Sequence, residues 1–502
     1  MKKRIIVIAP PGVGKTTLEA KLSEAWMEEY EGPVIVISRV KQLIGQVLSE
    51  LVMINKFHPD RIACYSDADH EMELKEALVA GNISNSEVKE WVDECFTTNR
   101  NVYIGCVANA GSISLLKYCL EKKYKVRVIV DELAEIIPGY EKDKENGKEN
   151  TLEILYRLND AGLLDYIAGF DAVWKTGSWR GMNDKNFWED DKPTILHKQE
   201  EMTSEKNVLC PVQLVAVEID EEELEVGDDE KRKRQIEAAA NIKILKHEQK
   251  LVDQGKKPST KVVAFSSGSD AAKYCKSEID NYNFDFDIDL NEFVLAATSP
   301  DYRKAIKEKL ADKKTKAGIV FNCQIWTKGI DVQDLTAVSL GYERLPCEEI
   351  LTHIVGRVTR RHPLERGLSV DQLKIKPVGR FYVPYLRSEK NGGSDFTQVL
   401  KVYQNLYSNG YTTVDAKILR DISTTKTETV PGIENPSNKE DIVDIFGSVD
   451  ENDVVCIQIG KAISALRAKQ EIKKQDIIDE DFCRVFAVRT DDEASEYLKS
   501  LF

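Results

Sequence analysis

Short runs of consecutive apolar, mostly β-branched residues recur along the first part of the chain, and helix-spaced apolar positions separate them. Ile5–Ile8 is the first, followed by Gly32–Ser38, Arg61–Tyr65, Asn101–Gly105 and Lys125–Asp131. Runs without polar alternation are buried on both faces, as parallel strands covered by helices are. Strands alternating with helices predict a doubly wound α/β domain. After Ile8, the positions Leu18, Leu22 and Trp26 keep helical spacing, so strand, loop and helix follow one another.

A polar stretch, Glu141–Asn150, interrupts the pattern, which resumes through "FDAVWKTGS" (Phe170–Ser178). The segment Glu218–Lys257, acidic and then basic, reads as an exposed helix with flanking loops. Its Lys231–Arg234 run fits a solvated helix face better than a phosphate contact. A new strand at Lys261–Ser267 restarts the alternation, which continues to about Leu386 and predicts a second α/β domain. Arg387–Asp395 reads as a loop and Ser423–Asp441 as a polar linker. The expected division is 1–207, then 208–386, then a small C-terminal accessory region, 387–502, with its linker at about 423–441.

Composition narrows the function classes. The 502 residues leave room for about three domains, and 42% hydrophobic with 31% charged residues is ordinary for a soluble globular chain. No apolar run is long enough to cross a bilayer, and the first one ends in Pro10-Pro11 after a strand's length. Neither a membrane partner nor a signal peptide is expected. Ten cysteines lie scattered from Cys64 to Cys483 without a Cys-x-x-Cys pair or a His at metal spacing, which predicts reduced thiols and a cytoplasmic location. The net charge of −15 excludes a globally basic nucleic-acid binder but leaves room for a local basic channel.

The candidate chemistry begins at once. Ala9-Pro10-Pro11-Gly12-Val13-Gly14-Lys15-Thr16 fits the P-loop pattern, with Ala in place of the first Gly. Glycines let successive N–H groups curl toward phosphate oxygens at the positive end of a helix dipole. Pro11, Gly12, Val13, Gly14, Lys15, Thr16 and Thr17 are therefore the candidate nucleotide-binding residues. Lys15 would reach the β- and γ-phosphates of ATP, and the Thr16 hydroxyl would coordinate Mg²⁺. Such a loop needs a second acidic site, and the apolar strand Val126–Val130 ends in Asp131-Glu132. Asp131 is the candidate for the Mg²⁺ shell and Glu132 for activation of the attacking water.

Asp131-Glu132-Leu133-Ala134 resembles the D-E-x-x box of superfamily 2 helicases and related nucleic-acid-dependent ATPases, and further segments follow that family's order. "ISRVKQLIGQ" (Ile37–Gln46) is similar to the motif after the second strand, which implies nucleic-acid contacts for Ser38 and Arg39. Thr176, Gly177 and Ser178 stand where the family couples hydrolysis to strand separation. "KVVAFSSGSDAAKYC" (Lys261–Cys275) resembles the opening of the second RecA-like domain. "GIVFNCQIWTKGIDV" (Gly318–Val332) resembles the fifth motif, which implies Thr327 on the nucleic acid, with Gly329 and Asp331 on the nucleotide side. "HIVGRVTRR" (His353–Arg361) matches the sixth, His-x-x-Gly-Arg-x-x-Arg, through His353, Gly356, Arg357 and Arg360. In that family its arginines stabilise the γ-phosphate, which makes Arg360 the first candidate finger and Arg357 the second, with Arg361 able to substitute.

The resemblance covers roughly residues 1–386 and implies two tandem RecA-like domains, ATP and Mg²⁺ as cofactors, and helicase or translocase activity. It also implies a nucleic-acid partner, DNA ahead of RNA; the unassigned region after Arg387, outside the resemblance, is a candidate docking module for a protein partner. A chain that opens on its P-loop is similar to phage and viral members, for which the location would be the host cytoplasm. Two other functions fit parts of the pattern: a remodelling ATPase subunit that does not separate strands, and a P-loop nucleotide switch. The switch leaves the segments at Gly329–Asp331 and Gly356–Arg360 unexplained.

Overall fold

The computed structural model describes residues 4–11, 13–30, 32–38, 44, 51, 61–65, 84–98, 102–107, 110–134, 136, 149–172, 182, 184, 187–188, 194–195, 202–203, 208–225, 227–323, 326, 332, 334–343, 348–365, 368, 372–376, 378–387, 397–408, 415–419 and 442–444. The chain forms two compact units that divide at Lys198/Gln199.

The first unit is built on a seven-stranded sheet. Its strands are β1 (Arg4–Ile8), β2 (Val34–Ser38), β3 (Ile62–Tyr65), β4 (Tyr103–Val107), β5 (Val126–Asp131), β6 (Leu164–Asp171) and β7 (Thr194–Ile195). They lie in the order β3-β4-β2-β5-β6-β1-β7, and every pairing is parallel. Strand pleating sends alternate residues to opposite faces. Val34 and Val36 join Leu22 and Trp26 of α1 (Lys15–Glu29) on one side, while Ile35 and Ile37 join the opposite cluster. That second face is covered by α2 (Asn85–Thr98), α3 (Ala110–Lys122) and α4 (Thr151–Asp160).

One staple fixes α1 at the end of the sheet away from the strand C-termini. The guanidinium of Arg127 lies 4.5 Å from the Tyr30 ring and 4.6 Å from the Tyr166 ring. It also pairs with Asp165 at 3.0 Å. The other end of α1 is thereby held over the strand termini. The pattern that resumes through Phe170–Ser178 begins earlier, because β6 spans Leu164–Asp171; residues 173–178 lie outside the described residues.

The second unit has an eight-stranded sheet formed by β8 (Val212–Asp220), β9 (Thr260–Phe265), β10 (Leu290–Val294), β11 (Ala317–Asn322), β12 (Ala337–Leu340), β13 (Gly379–Arg387), β14 (Asp415–Leu419) and β15 (Ile442–Asp444). The order is β10-β11-β9-β12-β13-β8-β14-β15, parallel throughout except for the antiparallel edge pair β14–β15. One face carries α5 (Asp229–Asp253) and α6 (Ser269–Asn281). The other carries α7 (Pro300–Ala311), α8 (Glu348–Thr359) and α9 (Thr397–Ser408).

Two sequence expectations change here. Glu218–Lys257 is not an exposed helix between loops, because Glu218 lies in the interior strand β8, and α5 buries Ile236, Ala240, Ile244 and Leu245. The charge density of α5 conceals an apolar stripe at helical spacing. The second unit also continues beyond residue 386, since α9 enters its core and β14 pairs with β8. Together, the two units are tandem RecA-like domains with essentially parallel sheets.

Candidate active site

The first unit's candidate residues lie at the C-terminal ends of its strands, where open parallel sheets receive ligands. Beyond β1 the chain turns through Pro11 and Val13 to Gly14, which heads α1 with φ +97°. A side chain is strained in that left-handed conformation, so glycine fits the turn. No side-chain cap closes the start of α1, an arrangement suited to an anion at the first-turn N–H groups. Lys15 and Thr16 are half-buried on that first turn, and Thr17 is exposed. Gly12 lies outside the described residues.

β5 ends in Asp131, and Glu132 follows at φ 54°. A left-handed conformation costs a non-glycine residue about 1–2 kcal/mol, so the surrounding structure must hold it. Asp171, fully buried at the end of β6, does part of this. Its carboxylate accepts the Ala134 N–H at 2.6 Å and the Ala172 N–H at 2.7 Å. Leu133 closes onto Gly169, where a Cβ would stand 2.6 Å from Leu133 Cδ2. Because β6 separates β5 from β1, the acidic pair and the loop are two strand spacings apart, about 10 Å.

Glu19 enters the same corner from α1, one helical turn after Lys15. It is fully buried, and its carboxyl group lies against that of Asp131. Burial and then the Asp131 charge push its pKa well above the usual carboxylate range; Lys15 pulls it down, and Glu132 raises it further. Neither Glu19 oxygen accepts a hydrogen bond from a protein donor among the described residues.

The donor set fits a divalent cation. Asp131 and Glu132 are 5% and 6% exposed, and their carboxylates and the Thr16 hydroxyl are hard oxygen donors. Among the described residues no three His, Cys, Asp or Glu side chains are grouped to hold a metal. Mg²⁺ is commonly bound by one or two carboxylates, with phosphate oxygens and water completing the shell.

Ser38 pairs in register with Asp131 and is fully buried, so its hydroxyl faces the protein interior rather than solvent. Arg39, Thr176, Gly177 and Ser178 lie outside the described residues.

In the second unit, His353 and Arg357 sit one turn apart on α8 and are 4% and 8% exposed. Arg360 follows the helix, half-buried, and bridges Leu209 through its backbone. Arg361 is built into the fold instead of standing ready for a phosphate. It is 1% exposed and donates to the carbonyls of Leu368 at 3.0 Å and Leu209 at 3.2 Å. The end of α8 is further fixed by Cys210, whose N–H donates to the Thr359 carbonyl at 2.6 Å. Thr327, Gly329 and Asp331 lie outside the described residues.

Sequence reasoning missed Glu19 and Asp171. An acid one turn after the P-loop lysine, inside an apolar stripe, was a usable signal for the first. The second repeats the pattern of an apolar strand ending in an acid.

No protein-family profile matches the sequence, and neither does any curated protein. Among solved structures, the chain is similar to the ATP-dependent Type ISP restriction-modification enzyme LlaBIII bound to DNA, with a TM-score of 0.55 and 15% identity. That match covers 81% of this chain and 28% of LlaBIII. That likeness shows the fold, two tandem RecA-like domains. It is also similar to the Hef helicase domain of Pyrococcus furiosus, with a TM-score of 0.46 and 11% identity over 77% of this chain and 93% of that one. A third likeness is S. cerevisiae Dbp5 bound to RNA and ADP BeF3, with a TM-score of 0.47 and 11% identity over 83% and 85% of the two chains. The chain thus spans little more than a quarter of LlaBIII's length.

Proposed function

We propose that this chain is a nucleic-acid-dependent ATPase that translocates along or unwinds a polynucleotide. The observation that carries the reading is the meeting, in one unit, of the Gly14-turned Lys15–Thr16 helix start with the buried Asp131–Glu132 pair. Bound Mg²⁺ would neutralise charge on the β- and γ-phosphate oxygens. Lys15 grips those phosphates, Thr16 and Asp131 hold the ion, and Glu132 accepts the proton of the attacking water. The water oxygen bonds to the γ-phosphorus as the bridging P–O bond breaks, and ADP and phosphate depart.

Arg360, with Arg357 second, supplies the guanidinium that meets the growing γ-phosphate charge, with His353, Gly329 and Asp331 on the nucleotide side. Thr176, Gly177 and Ser178 couple hydrolysis to strand separation. Arg39 and Thr327 hold the polynucleotide backbone; DNA is placed ahead of RNA, a preference supported by the DNA-bound state of LlaBIII. Binding that rests on phosphate contacts is sequence-tolerant and salt-sensitive. Arg39→Ala should therefore reduce the slope of log affinity against log salt by about one counterion, and an unchanged slope would remove Arg39 from the track.

Single-turnover hydrolysis tests the assignment of the chemistry. Arg360→Ala should slow hydrolysis about a thousand-fold while an ATP analogue still binds within a few-fold of wild type. A variant that hydrolyses normally would dismiss Arg360 as the finger.

A further inference from the structure

The carboxyl group of Glu19 is hard to explain as packing. It is fully enclosed, and no protein donor among the described residues reaches either oxygen. A buried acid without such a partner costs free energy that an apolar side chain of the same length would not. Nor does Glu19 sit at random. It projects from α1 one turn after Lys15, beside Asp131 and within electrostatic reach of Glu132. Features that oppose stability persist mainly where function requires them.

We propose that Glu19 is a positioning residue of the nucleotide site, setting the orientation of the Asp131 carboxylate toward the divalent cation that Thr16 and the nucleotide share. The inference rests on the nucleotide-site reading given above. Carboxylates that bind a metal are themselves held by neighbouring hydrogen-bonding groups, and loss of such a neighbour typically costs about 10–100-fold in metal affinity or activity. Here α1 carries both the phosphate-gripping lysine and the group that sets the acid, so one rigid helix fixes the two against each other.

The test uses the full chain with Glu19→Met, Glu19→Gln and, should Met not be accommodated, Glu19→Leu. Three quantities are measured: the unfolding temperature, the affinity for a fluorescent ADP without metal, and the binding of Mn²⁺ to the ADP complex by electron paramagnetic resonance. Glu19→Met should raise the unfolding temperature by at least about 2 °C. It should leave metal-free ADP affinity within about twofold and weaken Mn²⁺ at least about tenfold. Glu19→Gln, which keeps a polar group of the same length beside Asp131, should keep Mn²⁺ affinity within about threefold of wild type. In an Asp131→Asn background, Glu19→Met should add no further loss, because its effect passes through Asp131.

Unchanged Mn²⁺ affinity in Glu19→Met overturns the proposal, as does an additive loss in the double variant. A fall in unfolding temperature with Mn²⁺ affinity unaltered marks Glu19 as merely structural. Failure of the wild type itself to bind ADP, or binding by Lys15→Ala as tight as wild type, is a different result. It rejects the nucleotide-site reading on which the proposal stands.

Discussion

At the scale of single residues, buried charge is treated in two ways. Glu248 is fully buried yet well supplied: it pairs with Lys257, and it accepts the hydroxyls of Tyr382 and Thr336. Glu19 has no comparable set of donors. Glu248 thus belongs to a satisfied buried network, and His247 is part of it. Because Tyr382 gives its proton to Glu248, the His247 Nδ1 at 2.8 Å donates to the Tyr382 oxygen. Burial, followed by the charges of Arg380, Lys257, Lys250 and Lys256, pushes the ring's pKa down from 6.5 to about 3. Between those two values the unfolded chain binds the extra proton, so stability falls as pH falls, by up to about 1.4 kcal/mol per unit. Above pH 6.5 the group contributes no slope. His247→Gln should flatten the unfolding free energy, measured by urea between pH 6.5 and 4.5, by about one proton; an unchanged slope would contradict a neutral buried ring.

Residues such as Lys15 and Asp131 were legible in the sequence because fixed spacing after an apolar run announces them. Glu19, Asp171 and His247 were not, because burial of a polar side chain depends on which helix faces which strand.

At the scale of elements, β1, β2, β5 and β9 were readable from their apolar runs, whereas α5 was obscured by its charges and β8 was passed over although Leu214–Val217 is apolar. The basic run on α5 illustrates the reason. Lys231 pairs with Glu225, Arg232 with Glu221, and Lys233 with Glu343, so these cations are neutralised within the unit. The extension beyond residue 386 carries core residues: Val399, Val402, Tyr403, Leu406 and Ile418 are all buried. Each contributes about 1.5–3 kcal/mol, and together they rival the whole stability of a domain, about 5–15 kcal/mol. Ending the chain at Leu386 should therefore unfold the second unit, seen as loss of a cooperative transition by circular dichroism. A retained transition would show the sheet to be complete at β13.

Gly379 lets β13 lie close against α8, since a Cβ there would lie 2.3 Å from the Val358 carbonyl oxygen. Gly379→Ala should destabilise the unit by about 1–3 kcal/mol and displace the helix that carries His353 and Arg357. Stability equal to wild type in denaturant would mean that the two elements can separate without cost.

At the scale of the molecule, each unit is a parallel sheet between helices, and each presents its candidate chemistry on fixed elements. In the first these are the strand ends and the head of α1; in the second, α8 and the segment that follows it. The fold was legible because two alternating β/α patterns in series admit few arrangements. The proposed polynucleotide track was not, because a net charge of −15 carries no overall basic signature to mark it. The measurement that bears most directly on function is steady-state ATP hydrolysis at moderate salt, alone, with single-stranded DNA and with single-stranded RNA, beside Lys15→Ala. A nucleic-acid-driven ATPase predicts strong stimulation by one polymer, DNA first, that vanishes in Lys15→Ala. Equal turnover in all three conditions would contradict it.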